Sequence, residues 1–272
     1  MLSAWIRQSR AGRLVVESPG VNGVFHVDEE SYDDFMGRYA VLLAPLFAEF
    51  AGVRDGQRVL DVGAGTGALT RELIARGAEV VAAEPSPEFT RALRARFGAI
   101  EVHEAPAERL PLADDSFDIA VAQLVVAFMA DADIAMRELS RVAQRVAMCM
   151  WGVEEVDMFA AIDRTARAVG AARGERNAQR YRKPQELYDL LLGAGLKNIE
   201  SAELDVTASY DDFDDFWHAL SRQVGPAGAW LKRLDERQRA LVHDELYRQL
   251  GSPNGAFKLS GRAYAVRGTR RS

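Results

Sequence analysis

The sequence has few of the features that would place it in a membrane or an oxidising compartment. Cys149 is the single cysteine in 272 residues, so an internal disulfide is excluded and a reducing compartment is expected. The longest apolar stretch, Ile119 to Ala130, is interrupted by Gln123 and is shorter than the ~20 residues of a membrane span. The amino terminus lacks the apolar core of a secretory signal. These absences predict a cytoplasmic protein with no membrane partner.

Basic residues are fewer than acidic ones. The chain has 34 Lys and Arg against 40 Asp and Glu, a net charge of −6, which argues against a polyanionic partner such as nucleic acid. No metal-ligating cluster and no Ser/His/Asp triad is evident, so no metal site is expected. With 48% hydrophobic residues, the chain can bury a core as one large domain, with or without an insertion.

The most informative stretch runs from Val59 to Thr70. It reads as a short apolar run containing Asp61, then a glycine-rich turn, then the start of a helix. A buried strand that enters a helix through such a turn is typical of nucleotide-binding α/β domains. Three glycines in the turn permit positive φ and remove the Cβ atoms that would hold a ligand away: Gly63, Gly65 and Gly67.

A second apolar strand, Glu79 to Glu84, ends in an acid. Glu84 follows Gly65 by about the ~20 residues at which dinucleotide sites place a ribose-binding carboxylate. The dinucleotide pattern G-x-G-x-x-G would put its last glycine at Ala68, and alanine is tolerated there, so NAD is not excluded. The strand and helix patterns alternate from 57 to 151, which predicts a parallel α/β sheet.

Asp61 followed by Gly63-x-Gly65-x-Gly67 resembles motif I of the class I S-adenosylmethionine (SAM) methyltransferases. The resemblance covers roughly residues 31 to 151 and the final strand pair. It points to a bacterial, methyltransferase type 11-like small-molecule branch. It implies a Rossmann-like, seven-stranded, mostly parallel sheet with an antiparallel last strand, and SAM as cofactor with S-adenosylhomocysteine as product.

The resemblance also implies which residues contact the cofactor. The adenine loop departs from the family at Pro106, where an Asp is common, so Ala107 and Glu108 are the expected contacts. Arg38 is expected to pair with the methionine carboxylate. The predicted cofactor-binding set is Asp61, Gly63, Ala64, Gly65, Gly67, Glu84, Pro85, Ala107, Glu108, Gln123 and Arg38.

Before the glycine turn, residues 1–30 read as an extension in which Leu14–Val16 and Val24–Val27 suggest a hairpin. The methyltransferase domain is expected over 31–272. A helical pattern follows Ser31, which with Asp34 resembles a capping box, and Pro45 is expected to kink or split that helix. Its first half either covers the cofactor or packs on the sheet.

Between the last two predicted strands, at 197–207 and 256–266, lies a further helical pattern. We expect a helical lid over the acceptor at about 209–252, with Asp211 capping its first helix and a helix break at Val224–Trp230. The aromatic residues Phe213, Phe216 and Trp217 either pack the helices or face the acceptor.

The predicted activity is transfer of a methyl group from SAM to a small-molecule acceptor by in-line displacement. Weak candidates for a general base are His218, Tyr39 and Asp131. A nucleic-acid acceptor is disfavoured because Ala122–Val125 lacks the acidic-or-Asn, Pro, Pro, aromatic motif. Two alternatives stay open: an NAD(P)-dependent oxidoreductase, although no Tyr-x-x-x-Lys pair is seen, and a non-catalytic SAM-binding protein. The chain is expected to be a monomer or homodimer.

Overall fold

The computed structural model describes residues 6–8, 14–16, 33–171, 180–222 and 225–270. Near the amino terminus, β1 (Ile6–Gln8) and β2 (Leu14–Val16) form an antiparallel pair. The sequence instead suggested Val24–Val27 as the partner of β2. Those residues lie outside the described ranges, and the strand that pairs with β2 in the structure is β1.

A seven-stranded sheet occupies the centre of the described chain. Its strands are β3 (Arg58–Val62), β4 (Glu79–Ala83), β5 (Glu101–His103), β6 (Phe117–Gln123), β7 (Ala143–Val156), β8 (Lys197–Tyr210) and β9 (Phe257–Thr269). The order is β5-β4-β3-β6-β7-β9-β8, parallel through β7, with β9 antiparallel to both neighbours. The predicted sheet with its antiparallel last strand is confirmed.

Nine α-helices of the described residues accompany these strands. They are α1 (Arg38–Ala51), α2 (Ala68–Ala75), α3 (Pro87–Arg96), α4 (Ala132–Val142), α5 (Asp157–Ala168), α6 (Pro184–Gly193), α7 (Phe213–Ser221), α8 (Gly225–Lys232) and α9 (Glu236–Gln249). One large apolar cluster joins α1, α5 and the inserted helices to one face of the sheet. A second joins α4 and α6 to the other face. The sheet is therefore covered on both sides, as a parallel sheet requires.

Helix α1 runs unbroken through Pro45, contrary to expectation. A π-helical turn, Asp33–Gly37, precedes it, and Ser31 lies outside the described residues. Proline removes the donor for the carbonyl four residues earlier, that of Val41, whose residue is 52% exposed and open to water. On the other side, Arg76 donates from Nη2 to the Pro45 carbonyl at 2.9 Å, which ties α1 to the end of α2.

The insertion between β8 and β9 contains α7, α8 and α9. Two details of the sequence prediction for it were wrong. Residues 225–232 are helical rather than a break, because proline at the second position of a helix lies where its missing N–H is not needed. The cap of α7 is Asp212, whose Oδ1 accepts from the Asp215 amide at 2.8 Å, and not Asp211.

Candidate functional site

The glycine turn connects β3 to α2 at the carboxyl edge of the sheet. The amides of Gly63 and Ala64 both donate to the Ala83 carbonyl, at 2.7 and 3.3 Å, so the turn is fixed against the end of β4. Gly63, Gly65 and Gly67 have φ values of 67°, 56° and 90°, a region that residues with a Cβ atom rarely adopt. The backbone of the turn therefore requires the glycines that the sequence places there.

The three glycines differ in what a side chain would meet. A Cβ at Gly63 would lie 2.4 Å from Cγ2 of Val125, and one at Gly67 would lie 2.3 Å from Cε2 of Phe97. At Gly65 the nearest atom would be the Gly63 carbonyl oxygen at 4.0 Å. Protein packing thus accounts for the small size of Gly63 and Gly67. Gly65 faces open space, as a site for close ligand approach requires.

Glu84 holds the same turn from the end of β4. Its Oε2 accepts from the Gly65 amide at 2.9 Å and its Oε1 from the Ser86 amide at 2.9 Å. The side chain is buried, and burial raises its pKa above the ordinary value despite these hydrogen bonds. A carboxylate has about four acceptor positions, so two donors leave capacity for further ones. Pro85, the next residue, is exposed at the turn that follows β4.

Asp61 is buried inside β3, directly below the turn. Its Oδ2 accepts from the Thr70 hydroxyl at 2.6 Å, which joins the strand to the first turn of α2. Burial raises the pKa of Asp61 to about 7, the Thr70 hydrogen bond opposes that rise, and the nearby Glu84 charge adds to it. Two carboxyl groups that the sequence predicted together, Asp61 and Glu84, therefore do lie close enough to influence each other.

The predicted adenine loop is tied to the start of α4. Ala107 is buried, and Glu108 accepts through Oε1 from the Asp131 amide at 3.0 Å. Asp131, one of the candidate bases, caps α4 by accepting from the Ile134 amide at 2.9 Å. A structural task therefore accounts for Asp131, and the capping pattern in the sequence was the signal for it.

Gln123 and Tyr39 meet on the face of the sheet covered by α1. Gln123 donates from Nε2 to the Ala40 carbonyl at 3.1 Å, while its Oε1 is buried without a hydrogen-bond partner among the described residues. Tyr39 is fully buried and accepts from the Tyr210 hydroxyl at 3.3 Å. Burial raises the pKa of Tyr39 far above its ordinary value. That shift disfavours Tyr39 as a base at neutral pH.

The remaining two candidates lie on or against the insertion. Arg38 forms a two-bond ion pair with Asp215 of α7, at 2.7 and 2.5 Å. His218 is exposed on α7, and its Nε2 accepts from Arg222 Nε at 3.3 Å. The structure thus brings the glycine turn, Asp61 and Glu84 together, whereas it places Arg38 and His218 with the helical insertion.

Sequence reasoning missed a turn at the end of β6. Leu124 has φ of +60°, a strained conformation for a residue with a branched side chain, and its amide donates to the Cys149 carbonyl at 2.9 Å. The turn places Val125 in contact with the position of Gly63. Apolar residues give no sequence signal for such a bend. Cys149 itself is buried in β7.

Among the described residues, no three His, Cys, Asp or Glu side chains gather as metal ligands would. A search of the same residues for a helix long and apolar enough to cross a membrane finds none. The predictions of a metal-free protein without a membrane partner stay predictions.

Residues 60–150 match the methyltransferase domain family. An uncharacterized protein of Mycobacterium tuberculosis is 34% identical over 120 residues, which are 40% of this chain and 44% of that protein. The alignment thus spans less than half the length of this curated relative. The family match over residues 60–150 includes the glycine turn, Glu84 and the predicted adenine loop.

Two solved structures share the fold. A protein from Anaeromyxobacter dehalogenans assigned as a type II methyltransferase superposes with a TM-score of 0.62 at 22% identity, covering 83% of this chain and 95% of that one. A phosphoethanolamine N-methyltransferase of Haemonchus contortus, bound to phosphomonomethylethanolamine and S-adenosylhomocysteine, gives a TM-score of 0.51 at 13% identity. It covers 90% of this chain and 57% of its own.

Proposed function

We propose that the chain is a class I SAM-dependent methyltransferase of the type 11 family, as the match of residues 60–150 to the methyltransferase domain family supports, and that it methylates a small-molecule acceptor. The single observation that carries the proposal is the open space at Gly65 beside the buried Glu84 carboxylate. The chain's negative net charge and the lack of the acidic-or-Asn, Pro, Pro, aromatic motif at Ala122–Val125 favour a small acceptor over a nucleic acid. A monomer or homodimer in the cytoplasm stays the expected setting.

The residues present fit SAM. Gly65 allows a ligand to approach the backbone, and Glu84 has acceptor capacity for two ribose hydroxyls. Ala107 and Glu108 are the proposed adenine contacts, with Pro85 beside them in the turn after β4. Ala64 and Gln123 complete the proposed set. Arg38 would reach the methionine carboxylate only by exchanging it for Asp215.

When bound, SAM supplies an already activated methyl group, so the chain needs no nucleophile of its own. Its residues are left to bind, orient and exclude water, and correct positioning alone is worth ~7–11 kcal/mol in bimolecular reactions. Glu84 keeps the turn in place through the Gly65 and Ser86 amides. Asp61 anchors β3 to α2 through Thr70. The helices of the insertion are proposed to cover the acceptor.

A non-catalytic SAM-binding protein is the second candidate, and a specific observation favours it. The three predicted bases do not share an environment: Tyr39 is fully buried, Asp131 caps a helix and His218 is exposed. An acceptor that needs no base, such as an amine, reconciles methyl transfer with these settings.

The deciding experiment is calorimetric titration with SAM, S-adenosylhomocysteine, NADH and NADPH. We expect micromolar binding of the first two only. Transfer of labelled methyl from SAM across panels of amines, hydroxyl compounds and carboxylic acids then separates an enzyme from a binding protein. Binding of a reduced nicotinamide with no binding of SAM would overturn the proposal in favour of an oxidoreductase.

A further inference from the structure

A groove of about 630 Å³ lies beside the glycine turn, on the outer side of α1 and α2. Its walls come from the amino-terminal parts of both helices, from Arg96 at the end of α3 and from residues 207–209 of β8. The volume is within the range of small-molecule sites, ~300–1,000 Å³. Of its described lining residues, Arg38 alone belongs to the predicted cofactor set, and nothing so far assigns a ligand to the others.

The charged side chains described in the lining of the groove are all basic, whereas the whole chain is acidic. Three arginines line it, Arg38, Arg71 and Arg96, and no Asp or Glu is among the described residues of its lining. Arg38 is compensated by Asp215, and Arg96 also donates from Nη1 to the Thr66 carbonyl at 2.9 Å. Arg71 extends from the exposed side of α2. In a chain with net charge −6, this concentration of guanidinium groups is local and specific.

The α1 side of the groove also carries apolar side chains. Val41 and Leu42 of α1 are 52% and 41% exposed, although both are large hydrophobic residues. Exposed aliphatic side chains close to arginines match a ligand that has an apolar body and a charged end. Thr207 and Ser209 add hydroxyl groups at the rim.

We propose that this groove binds a small amphipathic anion, with its carboxylate or phosphate on Arg71 and Arg96 and its apolar body on Val41 and Leu42. Guanidinium groups bind both kinds of oxyanion through paired N–H donors. The apolar side chains exclude a purely inorganic anion as the preferred ligand. The inference does not depend on methyl transfer, because none of the four residues proposed to hold the anion belongs to the predicted cofactor set.

The test uses calorimetry at low ionic strength, where charge pairing is least screened. Decanoate and decyl phosphate represent the two kinds of head group, while inorganic phosphate and decanol supply the head and the body separately. We expect saturable binding of at least one of the first two, at least ten-fold tighter than either isolated part. The probe with the lower dissociation constant identifies the preferred head group.

Variants locate the site. Arg71→Ala and Leu42→Gln are each expected to weaken the probe at least five-fold. The matched controls Arg91→Ala, on exposed α3 surface, and Leu192→Gln, on exposed α6 surface, are expected to leave it unchanged. Unchanged S-adenosylhomocysteine binding in each variant shows that the glycine turn is intact. Equal effects of Arg71→Ala and Arg91→Ala, or no saturable binding of either decyl probe, would overturn the proposal.

Discussion

Arg38 and Asp215 are joined by two hydrogen bonds across 177 positions of sequence, Nη1 to Oδ2 at 2.7 Å and Nη2 to Oδ1 at 2.5 Å. The pair links the start of α1 to the first turn of α7. The Arg38 guanidinium also lies 5.0 Å from the centroid of the Tyr210 ring. One ion pair therefore connects the segment before the glycine turn with the helical insertion.

A double-mutant cycle of Arg38→Gln and Asp215→Asn is expected to give a coupling of about 1 kcal/mol in urea unfolding, the upper end for partly exposed pairs. Hydrogen bonds from Arg38 hold the pKa of Asp215 below its ordinary value, so this stabilisation is present at neutral pH. It is lost as the pH falls through that lowered pKa. The control pair Arg262 and Asp205, also two-bonded but more exposed, is expected to show a smaller coupling. Equal couplings would contradict this account.

Gly65→Val is expected to abolish binding of S-adenosylhomocysteine, because a branched side chain would fill the open space at the turn. Gly56→Val is the matched control, since Gly56 also has a positive φ, +75°, and open surroundings. Both variants carry similar backbone strain of about 1–2 kcal/mol. Calorimetry should separate them: an unchanged dissociation constant in Gly65→Val would remove the turn from the cofactor site.

Glu84→Ala is expected to weaken SAM by roughly ten-fold or more, since charge-assisted hydrogen bonds contribute ~1.5–3 kcal/mol. The same change leaves the Gly65 and Ser86 amides without their acceptor. Glu79→Ala, at the exposed start of the same strand, serves as the control and should bind normally. The two affinities are compared by calorimetry, and equal values would exclude Glu84 as a contact.

Asp61 should make the free energy of unfolding depend on pH. Its folded pKa of about 7 lies above the ordinary 3.8, so between these values the folded state holds a proton that the unfolded state has released. Stability then falls as pH rises, by up to about 1.4 kcal/mol per pH unit from this group. Relative to Asp61→Asn, which cannot ionise, the wild type should lose stability between pH 4 and 7. The free energies of unfolding are measured by urea titration. If those of the two proteins change with pH in the same way across that range, the raised pKa of Asp61 is contradicted.

The features that depend on local residue pattern were predicted correctly from the sequence. The alternation of apolar runs and helices, the glycine turn, and the acid at the end of β4 placed Gly65 and Glu84 near each other correctly, and 19 residues separate the two partners of their hydrogen bond. Strand ends were less well predicted: β8 extends past its expected end at residue 207, to Tyr210. Long strands of mixed exposure lack a clear stop signal.

Contacts between residues far apart in the sequence could not be predicted from local pattern. The resemblance assigns Arg38 to the methionine carboxylate of the cofactor. No residue near Arg38 in the sequence indicates that Asp215 is its partner in the structure. Likewise, position 63 must be glycine partly because Val125 lies against it. Val125 follows β6, three strands after the strand that leads into the glycine turn. Such contacts depend on how elements pack, and packing is not written in the spacing of nearby residues.

The position of β9 between β7 and β8 has a consequence for synthesis on the ribosome. It follows every other strand of the sheet in the chain, yet it supplies the partner on one side of β7 and the partner of β8. Until residues 257–269 have emerged, β8 has no strand to pair with and β7 keeps an open edge, a template for unwanted association. The sheet is therefore completed late, by contacts between distant parts of the sequence, which slows folding.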